Sequence, residues 1–171
     1  MITSNSVADD DFIKWLTVAI KAARLPSDAV IFQITEKDAS KFVRQTGEFI
    51  ASLKKMHCQA SIGRFGLEAK PFQLLETVQA DFVKIDGSHI KTLQKPGDVI
   101  TPMLTLQSMG KLSIVPMVEN TAQLTAFWQC GANYIQGLPP GAPLGNGLRL
   151  QHRRSRLRPA TQHLRVLNRP P

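Results

Sequence analysis

Charged side chains occur where short apolar stretches of the sequence end. The clearest case is Ala80–Asp86, in which Lys84 lies within an apolar run and Asp86 ends it. Such a run is typical of a strand that is buried on both faces of a parallel sheet. Chemistry in parallel α/β barrels collects at the carboxyl ends of the strands. Lys84 and Asp86 are therefore candidate site residues, although a solvated lysine on an ordinary strand explains the pattern equally well.

Other predicted strands end in further candidates. These are Gln33 and Glu36, Gly63 and Arg64, the segment 116–119 with Met117 and Glu119, and Gln136. A divalent metal site would need a cluster of carboxylates here, because hard cations take oxygen ligands. The set holds few acids and one arginine, so it is poor for a metal and suits an anionic ligand. In the alternative interpretation, Glu36 and Glu119 only cap the helices that follow.

The elements that would position these residues alternate regularly. Asp9–Leu25 has helical spacing of apolar residues, and four strand–helix units and a short strand at Tyr134–Gly137 follow it. The predicted strands of the four units span 29–35, 59–66, 82–86 and 112–118, and their helices span 37–57, 71–78, 98–109 and 120–130. This order predicts an α/β fold with parallel strands and right-handed crossovers. Periodicity leaves open whether the sheet is closed.

Composition limits the class of protein. The 171 residues suffice for one domain with a core, and 43% hydrophobic with 20% charged residues is ordinary for a soluble protein. No apolar run approaches the ~18 residues of a membrane span, and no signal peptide opens the chain. Cys58 and Cys130 lack metal-ligand spacing, so we expect reduced core residues in a cytoplasmic protein.

The positive charge is concentrated at the C-terminus. The net charge is +8, but residues 149–171 hold seven arginines and no acid, which leaves +1 for residues 1–148. A basic tail normally favours nucleic acid as a partner. From Leu138 onward no apolar period persists, so we expect residues 138–171 to form a basic, disordered tail. We expect no specific nucleic-acid partner, because the tail has another explanation, given below.

Five linked motifs resemble those of EAL domains, which are barrels that bind and often hydrolyse cyclic di-GMP. The motifs are Phe32–Glu36 (FQITE), Ser61–Gly66 (SIGRFG), Val83–Ser88 (VKIDGS), Val115–Asn120 (VPMVEN) and Tyr134–Gly137 (YIQG). Ile114–Pro116, the Glu119–Asn120 pair and Gly131–Gly137 are most similar to the FimX-like, degenerate members that regulate type IV pili and twitching motility. The resemblance implies an incomplete TIM-type (β/α) barrel, with residues 1–137 as the C-terminal portion of a degenerate EAL domain.

Departures from the family pattern bear on catalysis. The resemblance implies that an active domain has a glutamate in place of Gln33 and a catalytic glutamate in place of Pro116. It also implies paired aspartates where this chain has Gly63 and Arg64, and Arg64 brings a positive charge to the metal position. We therefore expect no hydrolysis, no metal and no cofactor. The expected function is that of a metal-free receptor for cyclic di-GMP.

The resemblance also implies which residues bind the ligand. They are Glu36, Arg64, Lys84, Asp86, Met117, Glu119 and Gln136. Glu119 and Gln136 would contact a guanine or its ribose, and Met117 would lie against a base where FimX-like proteins have an aromatic residue. Lys84 and Asp86 would line the floor of the site. The implied protein partner is a PilZ-type adaptor.

Both ends of the chain differ from the family. The first two and a half strand–helix units, including the Glu-Ala-Leu strand, would precede Met1. Codons allowed for residues 138–151 can be chosen so that the next frame encodes Tyr-Leu-Gln-Ala-Pro-Leu-x-x-Met-Asp-Tyr-Asp-Phe, which resembles the end of FimX-like domains. We interpret the chain as a fragment with a frameshifted tail. We expect weak or lost ligand binding and self-association through open strand edges.

Two alternatives stay open at this point. The chain could be an active cyclic di-GMP phosphodiesterase, against which Gly63, Arg64 and Pro116 argue. It could also be a non-functional gene fragment, or a protein-interaction module without a ligand.

Overall fold

The structure is a computed structural model that describes residues 1–26, 28–88, 97–118, 121–137 and 150–152. These residues belong to two compact units, which divide between Asp81 and Phe82. No helix in the described part of the chain is long and apolar enough to cross a membrane.

The first unit consists of two parallel strands and their helices. In chain order its elements are α1 (Ser4–Val7), α2 (Asp10–Ala23), β1 (Ile31–Thr35), α3 (Glu36–Lys41), α4 (Val43–Lys55), β2 (Gln59–Phe65) and α5 (Pro71–Thr77). Residues from Ile31 to Thr35 pair in register with Gln59 to Gly63. On the other side of β1, Ile2 forms a parallel bridge with Ile34.

The core of the first unit explains why these segments fold as they do. The strand residues that point to one face of the sheet are apolar, and so is one side of α4. This is expected for strands and an amphipathic helix that pack together. Their fully buried side chains are Ile34, Ala60 and Ile62 from the strands and Phe49, Ile50 and Leu53 from α4. Helix α2 begins at a side-chain cap, because Asp9 Oδ1 accepts hydrogen bonds from the amides of Asp11 and Phe12.

The second unit contains three parallel strands and one antiparallel strand. Its elements are β3 (Phe82–Ile85), α6 (Gly97–Ser108), β4 (Leu112–Val115), α7 (Thr121–Gln129), β5 (Tyr134–Gln136) and β6 (Leu150–His152). Lys84 pairs with Ile114 in the parallel ladder of β3 and β4, and Ile114 pairs with Tyr134 of β5. Strand β6 runs antiparallel to β5, with Gln136 opposite Leu150.

The predicted alternation of parallel strands and helices is confirmed, and three local expectations are wrong. The helix predicted over 37–57 is interrupted at Phe42, whose backbone (φ −136°, ψ 62°) is not helical. Strand β4 ends at Val115 rather than at residue 118, because Pro116 has no amide hydrogen and Met117 is left-handed (φ 58°). Residues 150–152 form a strand, so the expected disorder is wrong there. The remainder of residues 138–171 lies outside the described residues.

Candidate ligand-binding residues at the strand ends

In the second unit, one face of the sheet packs against the helices, and two polar candidate residues lie on the other face. Ile85, Val115 and Ile135 belong to one buried cluster with residues of helices α6 and α7. Successive side chains of a strand point to opposite faces. Lys84 and Gln136 therefore project from the face of the sheet opposite to that cluster. These two side chains are therefore not part of the helix-facing core.

Lys84 lies on this second face in an environment that disfavours its charge. Its neighbours across the ladder are Ile114 and, one strand further, Tyr134. The side chain is half-buried, and this burial lowers the pKa of the Lys84 ammonium below its ordinary value of 10.5. A desolvated ammonium is favourable only when an anion compensates it, so Lys84 is suited to contact an anionic ligand.

Asp86 directly follows β3 and forms the turn into residues 87 and 88, which are helical. Its Oδ1 atom accepts hydrogen bonds from the amide (2.9 Å) and the hydroxyl (2.6 Å) of Ser88. An aspartate that bonds the backbone two residues ahead stabilises an Asx-turn. Asp86 therefore has a defined local structural role in addition to the predicted contact with a ligand.

Met117 is turned outward between two buried neighbours. Pro116 and Val118 are buried, while Met117 is 43% exposed and has a φ of 58°. Its sulfur lies so close to Gly87 that a Cβ atom at position 87 would collide with it. A left-handed conformation in a residue other than glycine, asparagine or aspartate is uncommon and often marks a functional position. The predicted place of Met117 at an accessible strand end is therefore consistent with contact to a flat group.

A second glycine fixes the neighbouring strand end. A Cβ atom at Gly137 would collide with the carbonyl oxygen of Val118. The Val118 amide in turn donates a hydrogen bond of 3.4 Å to the carbonyl of Gln136. The sequence motifs contain Gly87 and Gly137, but we predicted no role for either. The sequence could have indicated them only by position, because Gly87 directly follows Asp86 and Gly137 directly follows Gln136.

Glu36 has a structural environment in the first unit. It is fully buried, and its Oε2 atom accepts hydrogen bonds from the amides of Gly66 (2.9 Å), Leu67 (2.9 Å) and Glu68 (3.3 Å). Its Oε1 atom is buried without a hydrogen-bond partner among the described residues. The residue that caps the following helix is Thr35 rather than Glu36, because the Thr35 hydroxyl accepts a hydrogen bond of 3.1 Å from the Asp38 amide. Glu36 thus holds the loop that follows β2.

The other candidates of the first unit lie around Gly63. Gln33 pairs with Ser61 in the ladder, and its side-chain amide occupies the space that a Cβ atom at Gly63 would need. Arg64 is exposed and left-handed, with a φ of 54°. The structure therefore brings Gln33 and Gly63 into contact and leaves Arg64 at the surface.

Carboxylates are sparse in the part of the chain that the structure describes. No group of three or more histidine, cysteine, aspartate or glutamate side chains there could hold a metal ion. Glu119, which we predicted to contact the ligand, lies outside the described residues.

A parallel α/β fold with polar side chains at its strand ends defines the class of protein. The family profile described as "EAL domain" matches residues 1–140, and the chain belongs to the EAL domain family. The predicted TIM-type α/β fold of that family is thereby confirmed. The crystal structure of the FimX EAL domain from Pseudomonas aeruginosa bound to c-di-GMP is similar, with a TM-score of 0.76 and 40% identity. The similarity covers 80% of this chain and 57% of that one.

Two curated relatives are named as enzymes. Cyclic di-GMP phosphodiesterase PdeF of Escherichia coli strain K12 is 31% identical over 118 residues, which are 67% of this chain and 16% of the relative. Cyclic di-GMP phosphodiesterase PdeB of Shewanella oneidensis is 25% identical over 146 residues, which are 83% of this chain and 17% of the relative. The chain therefore spans about a sixth of the length of these relatives.

Proposed function

We propose that the chain is a non-catalytic EAL module that binds cyclic di-GMP, with a FimX-like role in type IV pilus regulation and twitching motility. One observation carries the non-catalytic part. The amide of Gln33 fills the space beside Gly63, at the two positions where the family pattern implies carboxylates. A carboxylate at position 63 would need Gln33 to move, so the two substitutions fit each other.

The binding part of the proposal rests on the second unit. Lys84, Asp86, Met117 and Gln136 lie at or near the carboxyl ends of β3, β4 and β5, where ligands of parallel α/β proteins bind. Lys84 supplies a cation for a phosphate, Gln136 an amide for a base or ribose, and Met117 an apolar surface for a base. Glu119 follows Met117 by two residues and completes the proposed set.

Glu36 and Arg64 of the first unit are proposed contacts of a different kind. Arg64 offers an exposed guanidinium, which binds phosphate through two parallel hydrogen bonds. Glu36 acts by holding the loop over residues 66–68 rather than through direct contact. We further propose a PilZ-type adaptor as the protein partner and the cytoplasm as the location, in keeping with the two free, buried cysteines.

Two measurements test this function. Cyclic di-GMP is incubated with the 171-residue protein and Mg²⁺ or Mn²⁺, and we expect no linear product. Metal-dependent product that disappears in an Asp86→Asn variant would instead establish a phosphodiesterase. Binding is measured by titration calorimetry in EDTA, on this chain and on a chimera in which the preceding part of the FimX EAL domain is joined to Met1. We expect weak or no binding by the chain and clear binding by the chimera.

A substitution sharpens the binding test. In the chimera, Met117→Phe should increase the affinity for cyclic di-GMP by about tenfold, because stacking on an aromatic ring contributes ~1–3 kcal/mol per base. Leu104→Phe is the matched control, since Leu104 is also an exposed apolar residue, at 53%, and belongs to helix α6. Failure of the chimera to bind at all would remove the receptor proposal and favour a module without a ligand.

A further inference from the structure

A pocket occurs in the first unit, where helices α2 and α4 end. It has a volume of about 560 Å³, and none of the strand-end candidates lines it. Pockets that bind small molecules typically measure about 300–1,000 Å³ and combine apolar walls with a few polar groups. We propose that this α2–α4 pocket, lined by residues such as Ile20, Arg24, Lys55 and Met56, binds a small organic anion with an apolar body.

The charge of the lining selects the sign of the ligand. Lys21 and Arg24 come from the end of α2, Lys55 is the last residue of α4, and His57 follows two residues later; no carboxylate is in the lining. The ion pairs that these helices form elsewhere are Lys14–Asp11, Arg44–Glu48 and Lys54–Asp81, and no described carboxylate pairs with a cation of the pocket. The pocket therefore presents three cations that form no ion pair with a described residue, and the Asp28 carboxylate, which acts on Cys58, is outside the lining.

Helix dipoles explain only part of this arrangement. A cation in the last turn of a helix is favourable because the carbonyl end carries a partial negative charge. That effect explains one cation at each helix end, wherever its side chain points. It does not require cations of two helices to line the same cavity. The convergence of Arg24 and Lys55 on one pocket is the feature that points to a bound anion.

The remaining walls favour an apolar body over a purely polar ion. Ile20, Val30 and Met56 contribute apolar surface, and Cys58 is buried beside them. Burial, and secondarily the Asp28 carboxylate, raises the pKa of the Cys58 thiol, so the thiol remains neutral near pH 7. A small inorganic ion would leave this apolar surface in contact with water, whereas an organic anion would cover it.

The two hydroxyl groups of the lining do not alter this conclusion. Thr17 donates its hydroxyl hydrogen to the carbonyl of Ile13 at 2.8 Å, and Ser52 donates its own to the carbonyl of Glu48 at 3.0 Å. These donors are therefore used within their helices. The donors that are left for a ligand are cationic or, for His57, an imidazole N–H, and charged donors form the stronger hydrogen bonds with carboxylate and phosphate groups.

The test uses 1-naphthyl phosphate as the probe and the full 171-residue protein. Binding is followed by two-dimensional NMR, with inorganic phosphate and neutral 1-naphthol as the two half-probes. We expect shifts at residues 17–26 and 52–58, and an affinity at least about tenfold higher than that of either half-probe. Because none of the strand-end candidates lines the pocket, the result does not depend on whether the chain binds cyclic di-GMP.

Matched double variants assign the effect to the pocket. Arg24→Gln with Lys55→Gln should weaken probe binding by about tenfold, because both charged donors are lost. Lys14→Gln with Arg44→Gln removes the same charges from the same two helices outside the pocket, and should change binding by less than about twofold. Equal weakening in both pairs, equal affinity for inorganic phosphate, or equal affinity for 1-naphthol would each overturn the proposal. Circular dichroism confirms that each variant is folded.

Discussion

Glu36 and Asp86 make the most informative comparison between the two units. Both are acids that directly follow a parallel strand, and both are predicted to contact the ligand. Glu36 is fully buried and accepts hydrogen bonds from three amides that lie 30 to 32 residues further along the chain. Asp86 accepts its hydrogen bonds from Ser88, in its own turn. A strand-end acid can therefore serve the fold, the turn or a ligand, and position alone does not decide among them.

The largest expected effect comes from removing these two carboxyl groups. Glu36→Ala should lower the free energy of unfolding by about 3 kcal/mol or more, because it leaves amides unsatisfied and opens a cavity. Asp86→Ala should lower it by about 1 kcal/mol, since water can replace the lost acceptor. Urea denaturation followed by circular dichroism measures both values.

Glu48→Ala is the control for loss of a negative charge. Glu48 is 64% exposed and forms a 3.6 Å ion pair with Arg44 at the surface, so its removal should change the free energy of unfolding by less than about 0.5 kcal/mol. Equal losses for Glu36→Ala and Asp86→Ala would contradict the contrast between a long-range and a local role.

The second largest expected effect is a difference in stability between two glycine-to-alanine variants of the second unit. Gly137→Ala should lower the free energy of unfolding by about 2–3 kcal/mol, because the new methyl group meets the Val118 carbonyl oxygen, which the backbone holds in place. Gly87→Ala should cost about 1 kcal/mol or less, because the Met117 side chain that it meets is exposed and flexible. Thermal unfolding gives the order of the two.

A rescue variant makes this prediction specific. Met117→Ala should restore the stability of Gly87→Ala, because it removes the sulfur that lies over position 87. No change at Met117 should rescue Gly137→Ala. A rescue of both variants, or of neither, would show that the contacts of these glycines do not set their cost.

The third expected effect is a change in stability that has opposite signs for one glycine-to-alanine variant in each unit. Gly47 lies inside helix α4, and a Cβ atom at this position would make only an ordinary contact of 3.7 Å with the Thr77 carbonyl oxygen. Gly47→Ala should therefore stabilise the protein by about 0.5–1 kcal/mol, the usual difference in helix propensity. Gly110 follows helix α6 with a φ of 67°, so Gly110→Ala should destabilise by about 1 kcal/mol although no atom lies near. Chemical denaturation measures both changes, and stability changes of the same sign for the two variants would contradict this prediction.

The smallest effect concerns the pH dependence contributed by Lys84. Burial lowers the pKa of Lys84 in the folded protein below its ordinary value of 10.5. Between these two pKa values the unfolded chain binds more protons, so the free energy of unfolding should rise with pH in that window. Lys84→Met should remove this rise. The effect is small because water still reaches the half-buried ammonium.

The measurement for Lys84 has to avoid a second titration. Burial raises the pKa of Tyr134, the residue two strands away in the same row, above its ordinary value of 10.0. Its stabilising effect is lost as the pH rises above 10.0, which opposes the Lys84 effect. The raised pKa values of the Cys58 and Cys130 thiols are common to the protein and to Lys84→Met, so the difference between the two slopes below pH 10.0 isolates the lysine. Identical slopes would mean that Lys84 is not desolvated.

Most elements of the fold could be predicted from the sequence, because apolar spacing of 2 or 3.6 residues records which face is buried. The errors have local causes that spacing does not record. Phe42 breaks a helix within an uninterrupted helical pattern. The strand at 150–152 depends on pairing with β5, and a three-residue segment has too little periodicity to indicate it.

The candidate site was less predictable than the fold. The types of Lys84 and Gln136 and their places near strand ends follow from the pattern, whereas their common face is known only from the register of the strands. The contact between Gln33 and Gly63 and the amide contacts of Glu36 do not follow from it. These contacts join residues that are 30 or more positions apart, and a single sequence contains no signal for such pairs.

The contacts of Glu36 have a consequence for local motion. Residues 66–68 form a surface loop, and Leu67 is 55% exposed, so their amide hydrogens would ordinarily exchange with solvent within seconds. Here three consecutive amides share one acceptor on a fully buried side chain, so an opening that displaces the Glu36 carboxylate releases all three together. Their exchange should therefore be slow and correlated, with an opening free energy closer to that of the β1–β2 core than to that of a loop.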